Sequence, residues 1–110
     1  MDKKQSLAAL SALSHETRLD VFRLLVRMGD EGLLAGEIAA RLNVRQNTLS
    51  SNLAILDRAG LIGGRREGRA IRYVAAMDGM RGLLGYLMQD CCGGRPELCQ
   101  PVIDELACAC

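Results

Sequence analysis

Several residue types are scarce in this chain of 110 residues. It contains no tryptophan, one phenylalanine, one histidine and two prolines, and its first ninety residues contain no cysteine. No run of eighteen apolar residues occurs, so no transmembrane helix and no membrane partner are expected. The first eighteen residues lack an unbroken apolar core, because Ser11, Ser14 and His15 interrupt it. No secretory signal is therefore predicted, and a cytoplasmic location is expected.

Cysteine is confined to the last twenty residues. All five thiols are found there, at Cys91, Cys92, Cys99, Cys108 and Cys110. Because cytoplasmic thiols stay reduced, this cluster indicates metal binding or redox chemistry rather than a disulfide framework. The sequence thus predicts two regions, a compact helix-rich domain over residues 1–90 and a cysteine-rich sensing tail over residues 91–110.

Acidic residues are few in the middle of the chain. From Arg45 to Arg72 there are six arginines and two acidic residues, whereas the net charge of the whole chain is +1. A basic segment in an otherwise near-neutral protein suits a polyanionic partner such as nucleic acid. From charge alone, a solvated basic face without a partner fits equally well.

A helix-turn-helix pattern lies in this basic region. A short helix around Ile38–Leu42 is followed by a tight connection and a longer helix that Gly60 ends. Apolar residues at helical spacing form the buried stripe of the longer helix: Leu49, Leu53 and Leu56. Its opposite face is polar and carries Gln46, Asn47, Ser50, Ser51 and Arg58. Such a polar face near the start of the second helix is typical of a recognition helix.

An arginine-bearing hairpin follows directly. Residues 61–62 and 70–74 alternate as strands, and Glu67–Gly68 is the predicted turn between them. The fold class is therefore mainly α with a small β-hairpin, a winged helix-turn-helix. We expect the recognition helix to read base edges and the wing to contact phosphate or the minor groove. The predicted DNA-binding residues are Arg45, Gln46, Asn47, Ser50, Ser51, Arg65, Arg66 and Arg69.

A fifth helix is predicted from Asp78, as its cap, to about Asp90. Gly79, Gly82 and Gly85 recur on it every three residues, and each costs up to about 1 kcal/mol relative to alanine. Close approach of another helix would offset that cost. We favour a dimer interface, with core packing inside one chain as the alternative. A last helix could begin at Pro96 or at Pro101.

Three stretches together resemble the ArsR-type family of winged-helix metal- and metalloid-responsive repressors. They are Ser-His-Glu-Thr-Arg-Leu at 14–19, followed by Leu24–Leu25, the recognition helix and first wing strand at 46–62, and Arg-Glu-Gly-Arg at 66–69 with Tyr73. The resemblance implies a homodimer paired through the first and fifth helices. It also implies operator binding without ligand and release with it.

The chain departs from the family at its familiar metal sites. No cysteine occurs in the third helix, Asp78 on the fifth helix has no histidine companion, and Asn52 stands where a histidine is common. These departures leave the C-terminal thiols. Cys91, Cys92 and Cys99 resemble the cysteines after the fifth helix through which some members sense trivalent arsenic.

Adjacent cysteines fit zinc poorly, since structural zinc sites usually space their cysteine pairs by two to four residues. Trivalent arsenic or antimony needs only three thiolates, and Gly93–Gly94 lets the chain fold back toward the pair. Cys108 or Cys110 could replace Cys99 as the third ligand. A thiophilic ion such as cadmium, lead or copper(I), or a thiol redox switch, remains an alternative inducer.

Two other functions are disfavoured by the sequence. A thiol oxidoreductase or arsenate reductase would use a C-x-x-C motif after a strand or a reactive cysteine at a helix start, and neither is present. A metal-sequestering protein would not need the polar recognition face or the arginine wing. We therefore expect a metalloid-responsive repressor that binds double-stranded operator DNA, not an enzyme, with no organic cofactor.

Overall fold

The fold is six helices around a small antiparallel sheet, in a computed structural model that describes residues 1–89, 93 and 95–108, except the side chains of residues 107 and 108. A one-turn 3-10 helix, Gly29–Glu31, follows the second α-helix. The elements in chain order are α1 Lys3–Leu13, α2 Glu16–Met28, β1 Leu33–Leu34, α3 Ala35–Leu42, α4 Gln46–Arg58, β2 Ile62–Glu67, β3 Ala70–Ala75, α5 Met77–Leu87 and α6 Pro96–Cys108.

Local side-chain chemistry sets the ends of the first helices. The Asp2 carboxylate accepts the Gln5 backbone N–H at 2.7 Å, and the Gln5 side chain accepts the Asp2 N–H at 2.8 Å, which forms a capping box for α1. At α2 the cap is His15, whose Nδ1 accepts the Arg18 N–H at 3.5 Å. Asn43 ends α3 in the left-handed conformation and turns the chain into α4.

The sheet has three strands in the order β1-β3-β2, all antiparallel. The predicted hairpin is present, but β2 continues through Glu67, so Arg65 and Arg66 lie on a strand. The turn falls at Gly68–Arg69, one residue later than predicted. The third strand pairs Leu33 with Tyr73. Sequence periodicity missed it because a two-residue strand has no alternation to detect.

The core lies where α2, α3 and α4 meet the sheet. The predicted α4 stripe is buried, with Leu49, Leu53 and Leu56 each at most 2 % exposed. Leu25 and Ile38 share that cluster. Burial of the stripe fixes which side of α4 faces solvent.

The fifth helix differs from its prediction at its start. Ala76 is the N-cap and Asp78 lies in the first turn, where its charge is exposed. A Cβ atom at Gly79 would overlap the Gly60 carbonyl oxygen, so this glycine permits a close approach inside the chain. Gly85 has nothing within 4 Å of such a Cβ. The glycine stripe therefore does not serve a single purpose.

The end of the chain continues in α6, which begins at Pro96 and contains Pro101. The predicted end of α5 near Asp90 falls outside the described residues, and α5 itself ends at Leu87. Within the described ranges, no helix has the length and apolarity needed to cross a membrane.

Candidate nucleic-acid interface

The solvent side of α4 brings the predicted base-reading residues together. Because the leucines face the core, the four polar side chains at the start of the helix, with Arg45 just before it, are exposed. These four side chains are Gln46, Asn47, Ser50 and Ser51. Residues three and four apart are neighbours on a helix surface, so the four form one continuous polar face, referred to below as the reading face.

Two local hydrogen bonds give the reading face a defined polarity. The Asn47 side-chain oxygen accepts the Thr48 backbone N–H at 2.8 Å, so its amide nitrogen is left as an outward donor. The Ser51 hydroxyl donates to the Thr48 carbonyl at 3.0 Å, so its oxygen is left as an acceptor. Asn47 therefore suits acceptors such as guanine O6 or thymine O4, and Ser51 suits the amino groups of cytosine or adenine.

The charges of the wing are partly neutralised by one carboxylate. Arg72 Nε lies 2.7 Å from Glu67 Oε2 and its Nη1 donates to the Glu31 carbonyl at 3.2 Å, while Arg65 Nε lies 3.8 Å from Glu67. The hydrogen bond from Arg72 lowers the pKa of Glu67, and the same bond raises the pKa of Arg72. Glu67 therefore stays ionised at neutral pH.

Two wing arginines carry charge that no neighbour offsets. Arg66 and Arg69 are exposed, and in the described part of the chain neither has a hydrogen bond or an ion pair. An open cleft of about 580 Å³ joins the wing to the reading face and is lined by Arg69, Gln46 and Ser50. A polyanion lying in this cleft would meet both elements together.

One functional feature escaped sequence reasoning, namely the buried polar residue Asn52. Its side-chain oxygen accepts a hydrogen bond from Arg18 Nη1 at 3.0 Å, and Arg18 Nε donates to the Ala12 carbonyl at 2.7 Å. Asn52 is only 5 % exposed. The available sign was its position within the leucine stripe, three residues after Leu49, where a core residue would be expected.

The cysteine tail is described only in part. Cys99 lies on α6, is 8 % exposed and is disulfide-bonded. Cys91, Cys92 and Cys110 fall outside the described residues, and only the backbone of Cys108 is described. Among the described residues, no cluster of three or more histidine, cysteine or acidic side chains is positioned to hold a metal. The three-thiolate site therefore stays a prediction.

Comparison with known proteins places the chain among regulators of transcription. A helix-turn-helix domain family matches residues 13–64. The transcriptional activator HlyU of Vibrio cholerae is 32% identical over 89 residues, which cover 79% of this chain and 80% of HlyU. A putative arsenical resistance operon repressor, ArsR, of Halobacterium salinarum is 36% identical over 73 residues, 66% of this chain and 56% of that protein.

A solved structure shows the same architecture. It is the homodimeric winged helix-turn-helix DNA-binding domain of a possible ArsR-family transcriptional regulator from Mycobacterium bovis. It matches with a TM-score of 0.64 and 28% identity, over 79% of this chain and 81% of that one. The winged helix-turn-helix prediction is confirmed by the observed elements and by this likeness.

Proposed function

We infer that this chain, which belongs to the ArsR family of winged helix-turn-helix transcriptional regulators, is a cytoplasmic repressor released from its operator by a trivalent metalloid. The family consists of DNA-binding regulators, so the chain is not an enzyme. The observation that carries the proposal is the shared cleft, in which the reading face and the unpaired Arg69 of the wing line one surface.

We propose that α4 enters the major groove with Gln46, Asn47, Ser50 and Ser51 at base edges. Arg45, Arg65, Arg66 and Arg69 would contact phosphates or the minor groove, with Arg65 weakened by Glu67. Two copies related by a twofold axis would present two such helices about 34–36 Å apart, which suits a palindromic operator. The M. bovis homodimer supports this assembly.

We propose trivalent arsenic or antimony as the inducer, held by the thiolates of Cys91, Cys92 and Cys99. Soft thiolate ligands select soft ions, and three sulfurs complete the pyramidal coordination of these metalloids. The disulfide at Cys99 supports the proposal, because it means that a second sulfur can reach this position on α6. Cys108 and Cys110 are the alternative ligands, and the name of the H. salinarum relative points to the same inducer.

A thiol redox switch is the second candidate, and the same disulfide favours it. Two thiols would lose two protons and two electrons to a peroxide, which would be reduced to water, and one S–S bond would form. Oxidation and metalloid binding would then compete for the Cys99 sulfur. Cadmium, lead or copper(I) would compete for the same thiolates as further inducers.

The test is fluorescence anisotropy of the labelled promoter DNA of its own gene, with reduced protein titrated by arsenite, antimonite or cadmium. We expect arsenite to weaken DNA binding by about 5- to 150-fold, the usual range of such coupling. Cys91→Ser, Cys92→Ser and Cys99→Ser should each bind DNA normally and not respond.

The matched control is the double variant Cys108→Ser/Cys110→Ser, which should respond like wild type. It replaces a truncation after Pro101, because α6 runs through Pro101 and a truncation would remove half of that helix. A response that survives in Cys99→Ser but not in the control would move the third ligand to the Cys108/Cys110 pair. Release by peroxide alone would favour the redox switch.

A further inference from the structure

We propose that Arg18 and Asn52 are positioning residues for operator recognition, which fix the rotation of α4 relative to α1. The inference rests on the proposed DNA-binding function and assigns it two residues outside the reading face. One guanidinium joins the Ala12 carbonyl at the end of α1, at 2.7 Å, to the Asn52 amide in the middle of α4, at 3.0 Å. We call this pair of hydrogen bonds the α1–α4 bridge.

The bridge uses the particular shape of arginine. A guanidinium offers several N–H donors in a rigid planar fork, so its Nε and Nη1 can hold two acceptors at a fixed angle. A lysine ammonium on a flexible stem would keep the charge without this fork. The Ala12 carbonyl lies in the last turn of α1, where carbonyl groups have no partner within the helix, so Arg18 also caps α1.

Burial makes the bridge selective for one arrangement. Asn52 is 5 % exposed and stands in the leucine stripe, where leucines alone could pack at several rotations of α4. A buried amide that lost its partner would cost about 1–3 kcal/mol. That cost disfavours rotations of α4 that would move Asn52 away from Arg18.

The rotation of α4 matters because Ser51 is the residue before Asn52 and lies on the reading face. With a helix diameter of about 10–12 Å, a rotation of roughly 15° moves a surface side chain by more than about 1 Å. Hydrogen bonds to base edges weaken steeply over such a distance, whereas long arginines can still follow a phosphate. Loss of the bridge should therefore reduce sequence preference more than general DNA affinity.

The experiment compares Arg18→Lys, Asn52→Ala and the double variant with wild type, each shown to be folded by circular dichroism. The readout is the ratio of affinities for operator and for random-sequence DNA, with the salt slope of each. We expect each single variant to lower this ratio about tenfold, roughly the value of one base contact. The double variant should lose no more than either single one, and the salt slope should not change.

Two matched controls separate positioning from folding. Asn52→Asp keeps the acceptor for Arg18 and should retain the wild-type ratio, and Arg27→Lys makes the same substitution at an exposed position of α2. If Asn52→Ala does not fold, the conservative Arg18→Lys decides. An unchanged ratio in folded Arg18→Lys, or losses that multiply in the double variant, would overturn the inference. If wild type itself prefers no operator, the proposed function fails instead.

Discussion

At the scale of single residues, Glu67 controls how much positive charge the wing presents. It accepts from Arg72 and lies near Arg65, so two of the four wing-region arginines are partly offset. We predict that Glu67→Gln tightens binding to any DNA and steepens its salt dependence by up to about one unit of slope. Arg66→Ala should flatten the slope by about one unit. Salt titrations by anisotropy measure both, and equal slopes in the two variants would contradict this charge assignment.

Asn47 provides a second prediction at the residue scale. Its oxygen is engaged by the Thr48 N–H, so only its amide nitrogen faces outward. Asn47→Asp keeps the backbone contact, favourable at a helix N-terminus, but replaces the outward donor with an anionic acceptor. We expect operator affinity to fall at least about tenfold, the value of a good base contact, without loss of thermal stability. Unchanged affinity in a base-substituted operator series would remove Asn47 from the reading face.

At the scale of elements, α5 carries glycines with opposite roles. A Cβ at Gly79 would overlap the Gly60 carbonyl, whereas one at Gly85 would meet nothing within 4 Å. Gly79→Ala should therefore destabilise the protein by about 1–3 kcal/mol through overpacking. Gly85→Ala should instead stabilise it by up to about 1 kcal/mol through helix propensity. Urea unfolding of the pair tests this contrast, and an equal effect of the two substitutions would refute it.

At the scale of the whole molecule, the outer faces of α1 and α5 leave large apolar side chains in solvent. Leu7 and Leu87 are at least half exposed. Apolar patches of this kind mark association surfaces, and most soluble oligomers are twofold dimers. We predict a dimer whose mass is twice the 11.9 kDa of the chain. Leu87→Glu should give monomers in sedimentation and abolish operator binding, whereas Val26→Glu, exposed on α2, should leave the dimer intact.

That assembly gives the cysteine tail a route to the DNA. Because α6 and its Cys99 follow α5 in the chain, a site closed at these thiols would pull on the proposed dimerisation helix. A small change in the dimer would then change the spacing of the two reading faces. A monomeric Leu87→Glu variant that still binds arsenite would separate inducer binding from DNA release.

The sequence by itself determined the elements whose evidence is local. The leucine stripe of α4, the polar residues opposite it, and the glycine that allows the wing to turn are set by spacing and backbone preference along a few residues. The tertiary structure decided which distant groups meet. Only the antiparallel register places Arg72 beside Glu67, only the packing of α1 on α4 joins Arg18 to Asn52, and only the approach of α5 to the α4–β2 turn explains Gly79. Helical periodicity specifies which face of an element is buried, but not which partner lies against it, because that depends on the path of the whole chain.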